Sequence, residues 1–227
     1  MSEATDYEAL LWQITEQSTE RTAGIIRMYD MGLLSLEEAK RLLTQTLGKA
    51  NIQAIKLADA SFAAQITAKS GQAISPLGLG PREQMDDALY RAVSTLFPSK
   101  GGRGTDEQFD RLAEEEPLSA ANDAMYRAAK AHPDKVVGYR RVTEKDRCEL
   151  CYWLWKEGYV YNIDKPMNRH PRCRCEQDFV LAPEYVEWAQ KRDKQISGQG
   201  KHQRTSAALV GLSLEDWRVL RGKTTAN

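Results

Sequence analysis

The chain has 227 residues, 41% of them hydrophobic and 28% charged, with Lys plus Arg equal to Asp plus Glu at 32 each. This length suits one good-sized domain or two unequal ones, and the composition is not that of a disordered or collagen-like chain. Zero formal charge argues against a global electrostatic pull toward nucleic acid or anionic membrane, and no apolar run approaches the roughly 20 residues of a bilayer span.

The first residues, Met1-Ser-Glu-Ala-Thr-Asp-Tyr-Glu8, are acidic and lack a basic n-region, so no signal peptide is expected. Asp6 to Tyr29 reads as a helix whose apolar positions (Leu10, Leu11, Ile14, Ile25, Ile26, Tyr29) are interrupted by a polar middle from Glu16 to Thr22. Met31-Gly32-Leu33-Leu34 breaks it. Ser35 with Glu38 then has the spacing of a capping box, and a second helix runs on to Ala68, about 50 Å at 1.5 Å per residue. Leu36, Leu43, Ala50, Leu57 and Ala64 recur every seven residues, with Leu47, Ala54 and Ala68 beside them, an alanine-rich seam that lets a partner helix approach closely. That partner is the first helix in a hairpin, or else another subunit packed against an extended arm. Gly48 weakens the helix by about 1 kcal/mol relative to alanine.

Ser70 to Pro81 is a Gly/Pro linker, and Arg82 to Leu96 is helical with Met85, Leu89, Ala92, Val93 and Leu96 on one face. Pro98 to Gly104 is a loop without the residue order of a phosphate loop. Thr105 with Gln108 caps another helix that runs into Glu114-Glu-Glu-Pro117, and a further helix covers Ser119 to Ala131. At Val136 the pattern changes: Val136 to Val142 alternates and is β-branched, which predicts a strand. Tyr152 to Glu157 is a short apolar turn or helix ended by Gly158. Tyr159 to Ile163 and Arg174 to Leu181 are the remaining predicted strands. Pro183 opens a helix through Gln195, and Ser213 with Asp216 caps a last one, Leu214 to Arg221, whose Leu214, Trp217 and Leu220 form a small apolar face.

Every cysteine lies in one stretch, Cys148-Glu-Leu-Cys151 and then His170-Pro-Arg-Cys173-Arg-Cys175, which also holds one of the three histidines. A Cys-x-x-Cys turn grips one ion with two sulfurs, and the 18 residues between Cys151 and His170 leave room for a hairpin that returns the chain to the same point. Zn²⁺ suits the set, because it takes four tetrahedral thiolate and imidazole ligands without redox demand. Five candidates (Cys148, Cys151, His170, Cys173, Cys175) compete for four places: four cysteines, or three with His170. The competing readings are buried thiols or a disulfide. A structural zinc is expected, since a catalytic one needs an open position and a nearby base. This region has few large aliphatic residues, so the metal supplies stability that a small core cannot.

Trp153 and Trp155 read as lids over the zinc core. His132 and His202 sit in polar stretches as surface histidines, and no Gly-x-Ser-x-Gly is present. A zinc-stapled histidine nuclease needs a second histidine and a carboxylate or asparagine, and locally only Asn168 and His170 serve. Residues 139 to 175 carry nine Lys or Arg against five acidic residues, a modest surplus that allows phosphate contact but indicates no base readout.

Gly138-Tyr-Arg-Arg-Val-Thr143, Cys148-x-x-Cys151, Gly158-Tyr-Val-Tyr161 and above all His170-Pro-x-Cys-Arg-Cys175 resemble the phage minor head proteins of the Mu F-like, head-morphogenesis family over about 40 residues. The resemblance implies a structural minor capsid protein of a tailed phage, made in the host cytoplasm and carried inside the head near the portal vertex. There it would assist assembly, and packaging or ejection of DNA. The implied partners are the portal protein, the major capsid or scaffolding protein, and packaged DNA without sequence preference, with no membrane role. The family's Cys-Cys and His-Cys-Cys positions fall on Cys148, Cys151, His170, Cys173 and Cys175. The alternative is a capsid maturation protease or a zinc-stapled nuclease, but no protease constellation is visible and no catalytic residue is assigned.

The expected fold is mainly α with a small β-containing, zinc-stapled module. It is laid out as a long-helix hairpin (1–69), a central helical region (70–135), the zinc module (136–182) and a helical tail (183–227).

Overall fold

A computed structural model describes residues 3–98, 101–143, 149–170, 173 and 175–197. Among them are α1 (Glu3–Asp30), α2 (Leu36–Ser70), α3 (Met85–Thr95), α4 (Asp106–Lys130), β1 (Val136–Val142), α5 (Glu149–Lys156), β2 (Val160–Asn162), β3 (Glu176–Leu181) and α6 (Ala182–Ser197). The fold is mainly helical with one small antiparallel sheet. The last predicted helix, Leu214 to Arg221, lies outside the described residues. The chain divides into two compact units, one of Met1–Gln65, Ala73–Ala128 and Asn168–Arg172, the other of Ile66–Gln72, Ala129–Met167 and Cys173–Asn227.

In the first unit α1 and α2 form an intramolecular hairpin. Ile25 and Ile26 share a core with Ala39, Leu43 and Leu47 of α2, Leu89 and Val93 of α3, and Phe109 and Ala113 of α4. The capping box holds: Ser35 N–H and Oγ–H both donate to Glu38 Oε2, at 2.9 and 2.6 Å, and Glu38 N–H donates back to Ser35 Oγ at 3.3 Å. Thr105 and Gln108 repeat the device ahead of α4.

The polar middle of α1 is not a gap in its buried stripe, because Thr15, Ser18 and Thr22 are buried between Leu11 and Ile25. Thr15 Oγ1 donates to the Trp12 carbonyl at 2.7 Å, so the helix satisfies that hydroxyl itself. The seven-residue seam of α2 holds only in the middle. Leu43, Leu47, Ala50 and Ala54 are buried, whereas Leu36, Ala64 and Ala68 are exposed. The buried face instead repeats every eleven residues (Ala39/Ala50, Leu43/Ala54, Leu47/Ala58, Asn51/Phe62, Ile55/Ile66). A straight helix of 3.6 residues per turn drifts about 20° per heptad, so a seven-residue column rotates off its own interface.

Two further expectations are corrected. Pro117 does not divide two helices, because α4 runs through it. A proline inside a helix costs roughly 3 kcal/mol. Here Pro117 and Leu118 are buried, as are Ala113, Ala121, Ala124 and Met125, and that packing outweighs one lost backbone bond. α3 starts at Met85 rather than Arg82, because Gln84 takes a left-handed conformation with φ 66° that helical geometry cannot continue. The 70–81 linker is pinned by a residue that sequence reading passed over. Buried Asp59 accepts from Leu77 N–H through Oδ1 and from Leu79 N–H through Oδ2, both at 3.0 Å.

In the second unit the strand order is β2-β1-β3, all antiparallel, with a bulge between Val136 and Gly138. α6 covers one face, with Tyr185 and Trp188 packed on Val160 and Val180. Trp188 Nε1 donates to the Gly158 carbonyl at 2.8 Å. Lys69, at the end of α2, reaches β3 and α6, donating to the Phe179 carbonyl at 2.6 Å and pairing with Asp178 and Glu184.

Candidate metal centre

Register decides which side chains reach the other face of the sheet. On β1, Tyr139 lies opposite Tyr161 and Phe179, and Arg141 lies opposite Gln177. Side chains alternate along a strand, so Tyr139 and Arg141 share a face. Cys175, two residues before Gln177, falls on that face as well. α5 supplies Cys151 from its first turn, and Cys173 comes from the segment leading into β3.

The three sulfurs converge. Cys151, Cys173 and Cys175 have Sγ atoms within 4.8 Å of one another, and their residues are 1%, 0% and 6% exposed. The Cys151 and Cys173 sulfurs are 3.6 Å apart, far beyond a bonded pair at about 2.05 Å, and all three cysteines are free. Four thiolates at 2.3 Å around a tetrahedral zinc stand about 3.8 Å from each other, so this spacing fits the edge of such a site. The cluster is also sealed from solvent, as structural metal sites are.

Of the five sequence-predicted ligands, these three come together. Cys148 lies outside the described residues. His170 belongs to the helical unit, where with Arg169, Arg111, Gln108 and Ser119 it lines a cavity of about 430 Å³. Arg169 itself donates to the Leu118 carbonyl at 2.9 Å.

The tryptophans are not lids. Trp153 is 55% exposed and Trp155 42%, with Lys156 over the Trp153 ring, while α5 buries Cys151 instead. The predicted basic surplus is also partly consumed, since Arg140 pairs with Asp178 and Arg141 is buried. In the 98–104 loop Arg103 grips Asp30 with two hydrogen bonds and pairs with Asp106, an anchor rather than a phosphate cradle.

Arg141 is the residue that sequence reading missed. Its Nη1 lies 3.6 Å from both Cys151 Sγ and Cys173 Sγ, and it also bonds Cys175 and Tyr161. Strand alternation was the available signal. With Tyr139 facing inward, Arg141 must follow, and a buried guanidinium needs anions beside it. At the sulfurs the neighbouring cysteines and burial act together, and Arg141 opposes them. The hydrogen bond with Cys173, burial and the hydrogen bond with Cys151 push the Cys175 thiol up, and Arg141 pulls it down. A coordinated divalent cation removes those protons outright. On the same face burial pushes the Tyr139 hydroxyl up to about 12, with its ring stacked on Tyr161 at 5.3 Å.

A mainly helical chain with one small sheet and a buried cysteine cluster is a protein with a candidate structural metal centre, and its family match indicates a phage protein. The chain belongs to the VG15 protein family, whose profile matches residues 1–192 and so reaches into both units and takes in the whole cysteine stretch. No curated protein and no solved structure matches it significantly. Among the described residues no helix is long and apolar enough to cross a membrane.

Proposed function

We propose that the chain is a non-enzymatic minor head protein of a tailed phage, associated with the portal inside the capsid, whose sheet unit is stapled by one structural Zn²⁺. The observation that carries this reading is the buried cluster of Cys151, Cys173 and Cys175, which has ligand spacing and no solvent-open side. Cys148, three residues before Cys151, is the fourth ligand in this reading, and His170 stays with the helical unit. Zinc bound there cross-links α5 to the start of β3, so it acts on folding rather than on a substrate. The phage family and the His-Pro-x-Cys-Arg-Cys motif support a head protein, and the long α1–α2 hairpin gives it an extended surface for protein partners.

The test has two arms. Purified protein is mixed with portal protein and followed by co-sedimentation, with the assembled head imaged for its position; a complex and density near the portal vertex are expected. In parallel it is incubated with major capsid protein and with duplex DNA, with and without Mg²⁺. Cleavage that is lost on substituting His132, His170 or His202 in a folded variant would overturn the structural reading in favour of a protease or nuclease.

A further inference from the structure

We infer that Arg141 is an outer-shell partner of the zinc site, its guanidinium donating hydrogen bonds to the metal-bound sulfurs and offsetting their excess negative charge. The inference rests on the zinc reading above and deepens it. Arg141 is 6% exposed, and Nη1 reaches two different sulfurs at an equal 3.6 Å. That length is ordinary for an N–H donor on sulfur, whose radius exceeds that of oxygen. The remaining cysteine of the cluster and the Tyr161 hydroxyl face the same guanidinium.

The charge arithmetic gives these contacts their purpose. Three thiolates around Zn²⁺ leave one net negative charge, and four leave two, inside a site that water does not reach. Burying a guanidinium against neutral thiols would be costly, because a thiol is a weak acceptor and cancels no charge. Against thiolates the same burial is favourable, and the planar fork serves several sulfurs at once, which a lysine ammonium does less well. The arginine is placed by the sheet rather than by the metal. It stands on the central strand opposite Gln177.

The test uses the full chain as Arg141→Lys and Arg141→Met beside the wild type. Zinc per chain is measured by elemental analysis, zinc transfer to a chromophoric chelator by stopped flow, and the sulfur-to-metal charge-transfer band in Co²⁺-loaded protein by absorption. Loss of outer-shell partners weakens metal affinity by about 10- to 100-fold. Arg141→Met is therefore expected to lose metal faster by that factor and to shift the charge-transfer band, with Arg141→Lys restoring part of both. Should Arg141→Met fail to fold, the lysine variant carries the test, with release faster than wild type and a displaced band. Wild-type release and an unmoved band in the folded variants would overturn the inference and leave the zinc reading intact. A wild-type chain without stoichiometric metal would overturn both.

Discussion

Gly138 on β1 passes so close to β2 that a Cβ there would run into the carbonyl oxygen of Tyr161, and would stand 2.8 Å from Val160 Cγ1. The obstruction is backbone, which cannot swing aside as a long side chain would. Gly138→Ala is therefore expected to push β2 off the central strand and cost roughly 3 kcal/mol or more in urea unfolding. Zinc content should fall with it, because the same strand carries Arg141. An unchanged unfolding midpoint would show that β2 yields without penalty.

Metal removal should act on the sheet unit first. Cys173 is fully buried among the three sulfurs, in the unit whose sheet also buries Val136, Tyr139, Val160, Phe179 and Val180. Structural zinc contributes its binding free energy to folding, so Cys173→Ser or exhaustive chelation should cost at least roughly 5 kcal/mol there. Hydrogen exchange would report it as lost protection at β1 and β3 amides, with α2 amides between Ala39 and Ala58 still protected.

Asp59 makes a separate, metal-independent prediction. Its two oxygens take the Leu77 and Leu79 amides, which must turn to water once the carboxylate is removed. Asp59→Ala should destabilise the helical unit by roughly 2–4 kcal/mol, since two bonds to a charged acceptor are broken. Asp59→Asn keeps one acceptor oxygen and should lose about half as much. Equilibrium denaturation of both variants checks the ratio.

Glu116 gives the pH dependence. Burial pushes its carboxyl above the usual carboxylate range, against a smaller downward pull from the 3.2 Å hydrogen bond donated by Asn51 Nδ2. A carboxyl whose folded pKa is raised costs nothing below its unfolded pKa, where it is protonated in both states. The cost grows as pH rises through the window between the two values and is complete above the folded one. Glu116→Gln keeps an acceptor for Asn51, so it should stabilise the protein at pH 7 by on the order of 1 kcal/mol and change little at pH 4. Equal effects at both pH values would contradict the burial argument.

Much of this molecule is readable from residue order because the signals are local. Ser35 and Glu38 lie three apart, as do Thr105 and Gln108, and a capping box closes within one turn whatever surrounds it. The alternation of Val136 to Val142 marks β1 for the same reason, and the spacing of the cysteines marks a candidate metal site. Other features depend on what arrives from elsewhere. Pro117 is a local stop signal overridden by burial on both sides, and the seven-residue column on α2 was a pattern of letters whose geometry a straight helix does not keep.

By itself, then, the sequence determined the helices with closed caps, the central strand and the candidate ligand types, since each is set by interactions within a few residues. The tertiary structure alone decided that the Cys151, Cys173 and Cys175 sulfurs meet, that Asp59 holds the linker, and that Arg141 rather than Arg140 turns inward. The inward turn of Arg141 depends on strand register and on a bulge at Val136/Gly138, where one residue of slip sends every following side chain to the opposite face, and Asp59 depends on the linker folding back over α2.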